Sequence, residues 1–224
     1  MQYSTFAAID IGSYDVILEI FEISKKQGIR SVDKICHRME LGKDTYTLGK
    51  IRPEMEEELC RVLADFVRIM EGYRVDDYRA AASSAISEAS NSLYVLGKIH
   101  QLTGLSVTVL SNSEQRFLSY KALAAMEDNF NKIIEKGTAI LDLDGGSFQI
   151  SLFDKDALVT TQNIRMGSLR IRERLAGIQS ETEHYEEMVE ELIWNEVSSF
   201  KKMYLKDRKI ENIMLIGDVF TDSV

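Results

Sequence analysis

Two short runs in this sequence carry the residue types that phosphate chemistry needs. Asp10-Ile11-Gly12-Ser13 lies near the start, and Asp142-Leu143-Asp144-Gly145-Gly146-Ser147 lies about 130 residues later. A glycine turn lets backbone N–H groups approach an anion closely, because no Cβ stands in the way. An aspartate beside the turn can hold Mg²⁺, directly or through water. Either run alone reads more simply as a hairpin with glycine at its bend. Two such turns facing each other across a cleft would clamp a phosphate, and the duplication points that way.

The flanking sequence supplies the elements that must position these runs. Residues 5–10 and 15–23 read as strands joined by the Gly12 turn, and 29–41 as a third strand after Gln27-Gly28. Leu41-Gly42 to Gly49-Lys50 reads as a loop. Pro53, the only proline, opens a helix at its first turn, where its missing N–H costs nothing. Leu59, Val62, Leu63, Phe66 and Met70 continue its apolar stripe. Arg79 to Ile86 reads as a short strand, Ser87 to Gln101 as a helix ending near Gly104, and Leu105 to Leu110 as a strand. Ser111 or Asn112 can cap a helix that runs to about Met126. The polar stretch Glu127 to Gly137 reads as a connection to a second half. There, residues 138–143, 147–154 and 157–164 repeat the opening strand pattern. Met166 to Gly177 and Glu183 to Leu205 read as helices, and Ile213 to Ile216 as a strand. A duplicated β-β-β-α pattern predicts an α/β protein with two domains, 1–127 and 128–224, and a ligand cleft between them. An apolar strand followed at once by Gly217-Asp218 is an odd terminus. The second domain is therefore expected to be incomplete, the chain being the N-terminal part of something longer.

Composition narrows the partners. A net charge of −9 with no basic stripe argues against a nucleic-acid partner. An acidic protein that binds phosphates must gather positive potential locally, from amides, helix N-termini, Mg²⁺ or a few Lys and Arg. Cys36 and Cys60 lie in apolar segments without CxxC spacing and read as buried free thiols, while His37, His100 and His184 form no metal pattern. No apolar run approaches membrane-spanning length and no signal-peptide core opens the chain. A reduced, cytoplasmic compartment and no membrane partner are expected. The acidic faces around Glu54, Glu56, Glu57 and Glu58, and from Glu181 to Glu191, read as solvated helix surface. Trp194 reads as core or interface.

Along nearly its whole length the chain resembles the exopolyphosphatase and guanosine pentaphosphate phosphatase (Ppx/GppA) family. Six segments carry the resemblance: AAIDIGSYDV, LGKDTYTLGKIRPE, AAASSAISEASN, VLSNSEQRFLSY, LDLDGGSFQI and IRMGSLRIRERL, in that order. The resemblance implies two ribonuclease-H-like domains of the actin-like ATPase superfold. It also implies Mg²⁺-dependent removal of terminal phosphate from inorganic polyphosphate or guanosine pentaphosphate, and a possible homodimer. The family's glutamate falls on Glu114, implied as the base that activates water. Glu114 lies in the first turn of a helix, where the dipole favours the anion, and alone it would read as an exposed helix carboxylate. Asp10 and Asp142 match the aspartates of the two phosphate loops, Asp142 being the implied Mg²⁺ partner. Gly12, Ser13, Gly145, Gly146, Ser147 and Gly167 are implied to cradle phosphate oxygens.

Several chemical positions depart from the family's pattern. Tyr14 and Asp15 replace an Asn and a small hydroxyl residue, and Ser87 replaces a phosphate-binding arginine. Asp144 replaces the first of three glycines, and Gln149 replaces a carboxylate. The later Gly-Gly-Thr turn survives only as Gly217-Asp218-Val219. These changes make the cleft less attractive to a polyanion, although Asp144 could recruit Mg²⁺ in place of Gln149. Three readings stay open: a phosphohydrolase, a sensor or scaffold that binds a phosphorylated ligand without turnover, and an ATP-using kinase of the same superfold.

Overall fold

The computed structural model describes residues 3–127, 129–179, 184–206 and 208–217. In chain order the first elements are β1 (Ser4–Ile11), β2 (Asp15–Ser24), β3 (Gly28–Arg38), α1 (Leu41–Leu48) and α2 (Pro53–Tyr73). They are followed by β4 (Asp77–Ala82), α3 (Ser84–Ser87), α4 (Ser92–Thr103) and β5 (Val107–Val109). The five strands form one sheet in the order β3-β2-β1-β4-β5. β1 and β2 are antiparallel with Ala7, Ile9 and Ile11 opposite Ile20, Leu18 and Val16, so these six side chains share one face. All six are buried, and Leu59, Leu63 and Phe66 of α2 and Val95 and Ile99 of α4 belong to the same core. Helical periodicity thus meets strand alternation on one side of the sheet.

The second set is α5 (Asn112–Met126), α6 (Phe130–Ile134), β6 (Thr138–Leu143), β7 (Phe148–Asp154), β8 (Ala157–Ile164), α7 (Ser168–Gln179), α8 (Tyr185–Tyr204) and β9 (Asn212–Gly217). Its sheet has the order β8-β7-β6-β9, with β6 antiparallel to β7 and parallel to β9. That repeats the arrangement of β3, β2, β1 and β4. Here both faces are covered. Tyr120 and Leu123 of α5 and Phe130 and Ile134 of α6 pack with Ile140 and Phe153. Val197, Phe200 and Tyr204 of α8 pack with Phe148, Ile150 and Leu152 on the other side. β7 is therefore buried at nearly every position, as a central strand between two layers must be.

The chain divides into two compact units, 1–112 and 113–224. Sequence alone places the boundary at 127. The physical reason for the earlier division is that Phe130 and Ile134 of α6 are buried with Ile140 and Phe153 while Tyr120 and Leu123 of α5 pack against them, so residues read as a connection contribute core side chains.

Several expectations are corrected. The stretch read as a loop from 41 to 50 is helical over Leu41–Leu48 and ends on a left-handed cap at Gly49. α1 is held by tertiary contacts instead of an apolar stripe: Leu41 is fully buried, and Thr45 Oγ1 donates to Ala85 O at 2.6 Å. Buried Asp44 accepts from the Arg52 backbone and guanidinium at 2.9 Å. β4 ends at Ala82, and the turn of helix α3 follows where a strand to Ile86 is expected. Cys60 is buried but Cys36 is exposed, because it lies on the outer face of the edge strand β3. Glu56 is not solvated surface: it is buried and paired with Lys98 of α4 at 2.6 Å. Trp194 is 59% exposed on α8, with Lys201 Nζ 5.7 Å from its ring centre. Glu181 and Glu183 lie outside the described residues. Among the described residues no helix is long and apolar enough to cross a membrane.

Candidate functional site

The first turn, residues 12–15, closes when Gly12 N donates to Asp15 O at 3.0 Å. A Cβ on Gly12 would stand 3.0 Å from that carbonyl, which explains the glycine. Tyr14 O accepts from Met39 N and Glu40 N at the end of the third strand, and Ser13 O accepts from Gly42 N in α1. The Ser13 side chain is buried. Its Oγ lies 2.6 Å from Tyr46 OH and 3.4 Å from Ser84 Oγ, and Tyr46 OH lies 2.8 Å from Ser84 Oγ. Three hydroxyls thus share their protons beneath the turn. Arg38 spans its outside, with the guanidinium carbon 4.4 Å from the centre of the Tyr14 ring and Nε 3.7 Å from Asp15 Oδ1. Asp10 is exposed near the end of β1, opposite Ile17 of β2.

Asn91 and Asp44 work as supports for this region. Asn91 Oδ1 accepts from Ile51 N at 3.0 Å and its Nδ2 donates to Ile51 O at 2.8 Å. That clamps the entry to α2 against the start of α4. Ser87, in place of the family's arginine, is exposed at the end of α3.

The second turn, residues 144–147, closes in the same way, Asp144 N donating to Ser147 O at 3.0 Å. Its carboxylate folds back on the turn. Asp144 Oδ1 accepts from Gly146 N and from Ser147 N, the latter at 3.3 Å. Burial pushes the Asp144 pKa up, and the amides, Gln115 and Arg170 pull against that rise. The turn's carbonyls are engaged as well. Asp144 O accepts from Ser168 N, Gly145 O from Arg170 N at 3.1 Å, and Gly146 O from Arg170 Nε at 2.9 Å. Gly167 lets the chain pass so closely that a Cβ would run into the Asp144 and Gly145 backbone. Gly217 sits as closely against Leu143, at φ 128°, while Asp218 and Val219 lie outside the described residues.

Asp142 stands opposite Gln149 on β7, and Gln149 opposite Asn163 on β8, so these side chains share the face covered by α5. Ser119 Oγ of α5 is 3.5 Å from Asp142 Oδ2, and Arg116 Nη1 donates to Thr161 Oγ1 at 3.2 Å. Glu114 is exposed in the first turn of this helix. The unit therefore brings Glu114's helix to Asp142 through Ser119. Among the described residues no group of three or more His, Cys, Asp or Glu side chains could hold a metal. A Mg²⁺ ion needs only one or two carboxylates when water and substrate oxygens complete its shell. Asp142, beside the amide of Gln149, fits an ion held in that way.

Sequence reasoning does not single out Tyr46, Ser84, Arg38, Gln115, Ser119 or Arg170. Tyr46 lies in a stretch read as a loop. For Arg170 a signal existed, an arginine two residues into a helix that follows a glycine turn.

The sequence profile of the Ppx/GppA phosphatase family matches residues 19–223. The bifunctional 3-dehydroquinate synthase/phosphatase of Fusobacterium nucleatum is 22% identical over 174 residues, 75% of this chain and 26% of that protein. Exopolyphosphatase 1 of Mycobacterium leprae is 25% identical over 144 residues, 64% of this chain and 41% of that protein. The matches thus span about a quarter and two-fifths of those relatives' own length. An exopolyphosphatase from Cytophaga hutchinsonii has the same fold, with a TM-score of 0.79 at 19% identity over 96% of this chain and 66% of that one. The matching strand orders of the two units agree with two actin-like α/β domains. By the extent of the profile match and by this fold, the chain belongs to the Ppx/GppA phosphatase family.

Proposed function

We propose that the protein is a Mg²⁺-dependent phosphohydrolase that releases terminal phosphate from inorganic polyphosphate or guanosine pentaphosphate. The observation that carries this reading is the approach of α5 to β6: Ser119 Oγ lies 3.5 Å from Asp142 Oδ2, a little over one helical turn from Glu114 on the same helix. A base and a metal carboxylate on one unit are what hydrolysis of a phosphoanhydride requires. In the proposed step a water oxygen attacks the terminal phosphorus, the bridging P–O bond breaks, and the water's proton passes to Glu114. Asp142 would hold Mg²⁺, which when bound would neutralise charge on the phosphoryl oxygens. Asp10 holds the corresponding place in the first unit, and a metal-facing role is proposed for it there. Gly12, Gly145, Gly146, Ser147 and Gly167 are proposed to shape the phosphate contacts. The buried Ser13 hydroxyl is proposed to support its turn through Tyr46 and Ser84.

A second reading, a binder of phosphorylated ligands without turnover, is favoured by Gln149, which stands beside Asp142 in place of a carboxylate. The test is phosphate release from long-chain polyphosphate and from guanosine pentaphosphate, with Mg²⁺, by the full-length gene product beside its Glu114→Gln variant. Release that disappears in the variant supports the hydrolase and identifies its substrate. Background release from both proteins sinks that reading for these substrates and favours the binder.

A further inference from the structure

The second turn offers its amides to an anion that it already contains. Gly146 N and Ser147 N are the groups that a glycine turn would present to a phosphate oxygen, and both point at Asp144 Oδ1. Around them the turn leaves little room to rearrange. Its ends are tied by Asp144 N to Ser147 O, its carbonyls by Ser168 N, Arg170 N and Arg170 Nε, and its flank by the backbone approach at Gly167. A hydrogen bond to an ionised acceptor is stronger than one to a neutral acceptor, so the carboxylate is a real competitor for these amides. We infer that Asp144 is a specificity-determining residue of the second turn: its carboxylate fills the amide nest of Gly146 and Ser147, and a phosphate oxygen enters only by displacing it.

The inference rests on the proposed function for the class of ligand, a phosphate-bearing polyanion. It separates this turn from one with glycine at position 144, where the same amides would be free for a ligand. The proposed hydrolytic step gives Asp144 no part at the reacting atoms, so its effect belongs to binding and to the choice of ligand.

The test is calorimetric titration of inorganic tripolyphosphate, without Mg²⁺, into the full-length protein and its Asp144→Gly and Asp144→Asn variants. Removing the internal acceptor is expected to tighten binding about tenfold in Asp144→Gly, the factor that corresponds to one charge-assisted contact. Asp144→Asn keeps an acceptor without the charge and is expected to fall between the two. Equal affinity in wild type and Asp144→Gly overturns the inference, as does a folded Asp144→Gly that binds no tripolyphosphate. Should Asp144→Gly fail to fold, Asp144→Asn decides: tighter binding than wild type supports the inference, and equal or weaker binding overturns it. Phosphate release from the same proteins keeps the two readings apart. Tighter binding with background release sinks the hydrolase and leaves the inference standing. Retained release with no gain in binding does the reverse.

Discussion

In the first turn Gly12 N donates to Asp15 O, and in the second Asp144 N donates to Ser147 O, each at 3.0 Å. In each, the helix after the third strand sends a backbone N–H to the turn's second carbonyl, Gly42 N to Ser13 O and Arg170 N to Gly145 O. An aspartate stands two positions before each turn, Asp10 and Asp142. The frames match, and the fillings differ. The first turn buries a hydroxyl among Tyr46 and Ser84 and has Arg38 near its carboxylate. The second has a carboxylate where the first has Gly12, and directs it at its own amides. What the pair teaches is that the hairpin frame is set by strand register and helix entry, whereas the chemistry is set by which turn position carries a side chain.

Gly167→Ala breaks the comparison most severely. Its methyl would overlap backbone rather than a movable side chain, so a loss of about 3 kcal/mol is expected. Gly12→Ala meets only Asp15 O at 3.0 Å and should cost about 1 kcal/mol. Urea unfolding of both variants checks the order, and equal losses would show that the turns are not packed differently. Next comes the support of the first turn. Asp44→Ala removes a buried acceptor of the Arg52 backbone and guanidinium and should cost about 2 kcal/mol, read as a shift in the urea midpoint. An unshifted midpoint would show that α1 holds its place without that carboxylate.

A third prediction concerns pH. Burial raises the folded pKa of Asp144 above its unfolded value of about 3.9. Its stability contribution is then fully present below the unfolded value and is lost as pH rises through the folded one. Asp144→Asn does not titrate there. The stability of wild type relative to Asp144→Asn should therefore fall as pH is raised from about 4, and a difference that is flat or grows with pH would contradict the assignment. The smallest effect is expected at Cys36, on the strand beside the first turn. Burial and then the neighbouring Asp15 charge push its thiol pKa up. Asp15→Asn should speed its alkylation at pH 8 by less than about threefold, since the thiolate is the reacting form. An unchanged rate would mean that Arg38 already cancels the Asp15 charge.

Much of this architecture is legible in the sequence, for reasons that individual residues make plain. Ile9, Ile11, Val16 and Leu18 alternate along strands whose register the short Gly12 turn fixes, and Pro53 with Leu59, Leu63 and Phe66 marks a helix by its start and its period. α1 is not legible, because Asp44 and Thr45 are stabilised by Arg52 and Ala85, partners that local pattern does not reveal. The domain boundary is missed because Phe130 and Ile134 are two apolar residues in a polar stretch, too few to show a period. At the candidate site, Asp142 and Asp144 are singled out by residue type and spacing, and Glu114 only by the family resemblance. The direction in which Asp144 points depends on turn geometry, and a carboxylate beside glycines reads equally as a metal ligand or as an amide acceptor. Gln149 next to Asp142 follows from strand pairing, which becomes certain only once the register is known.

The carboxylate in the second turn can also be expressed as a concentration. It is tethered two residues from Gly146 N, so any free anion competes with a partner whose effective concentration is of at least millimolar order. A ligand bearing one reachable phosphate meets that competition once per encounter. A chain of repeated phosphates carries its own high local concentration and rebinds before it leaves. Through a single side chain, the turn would select for valency.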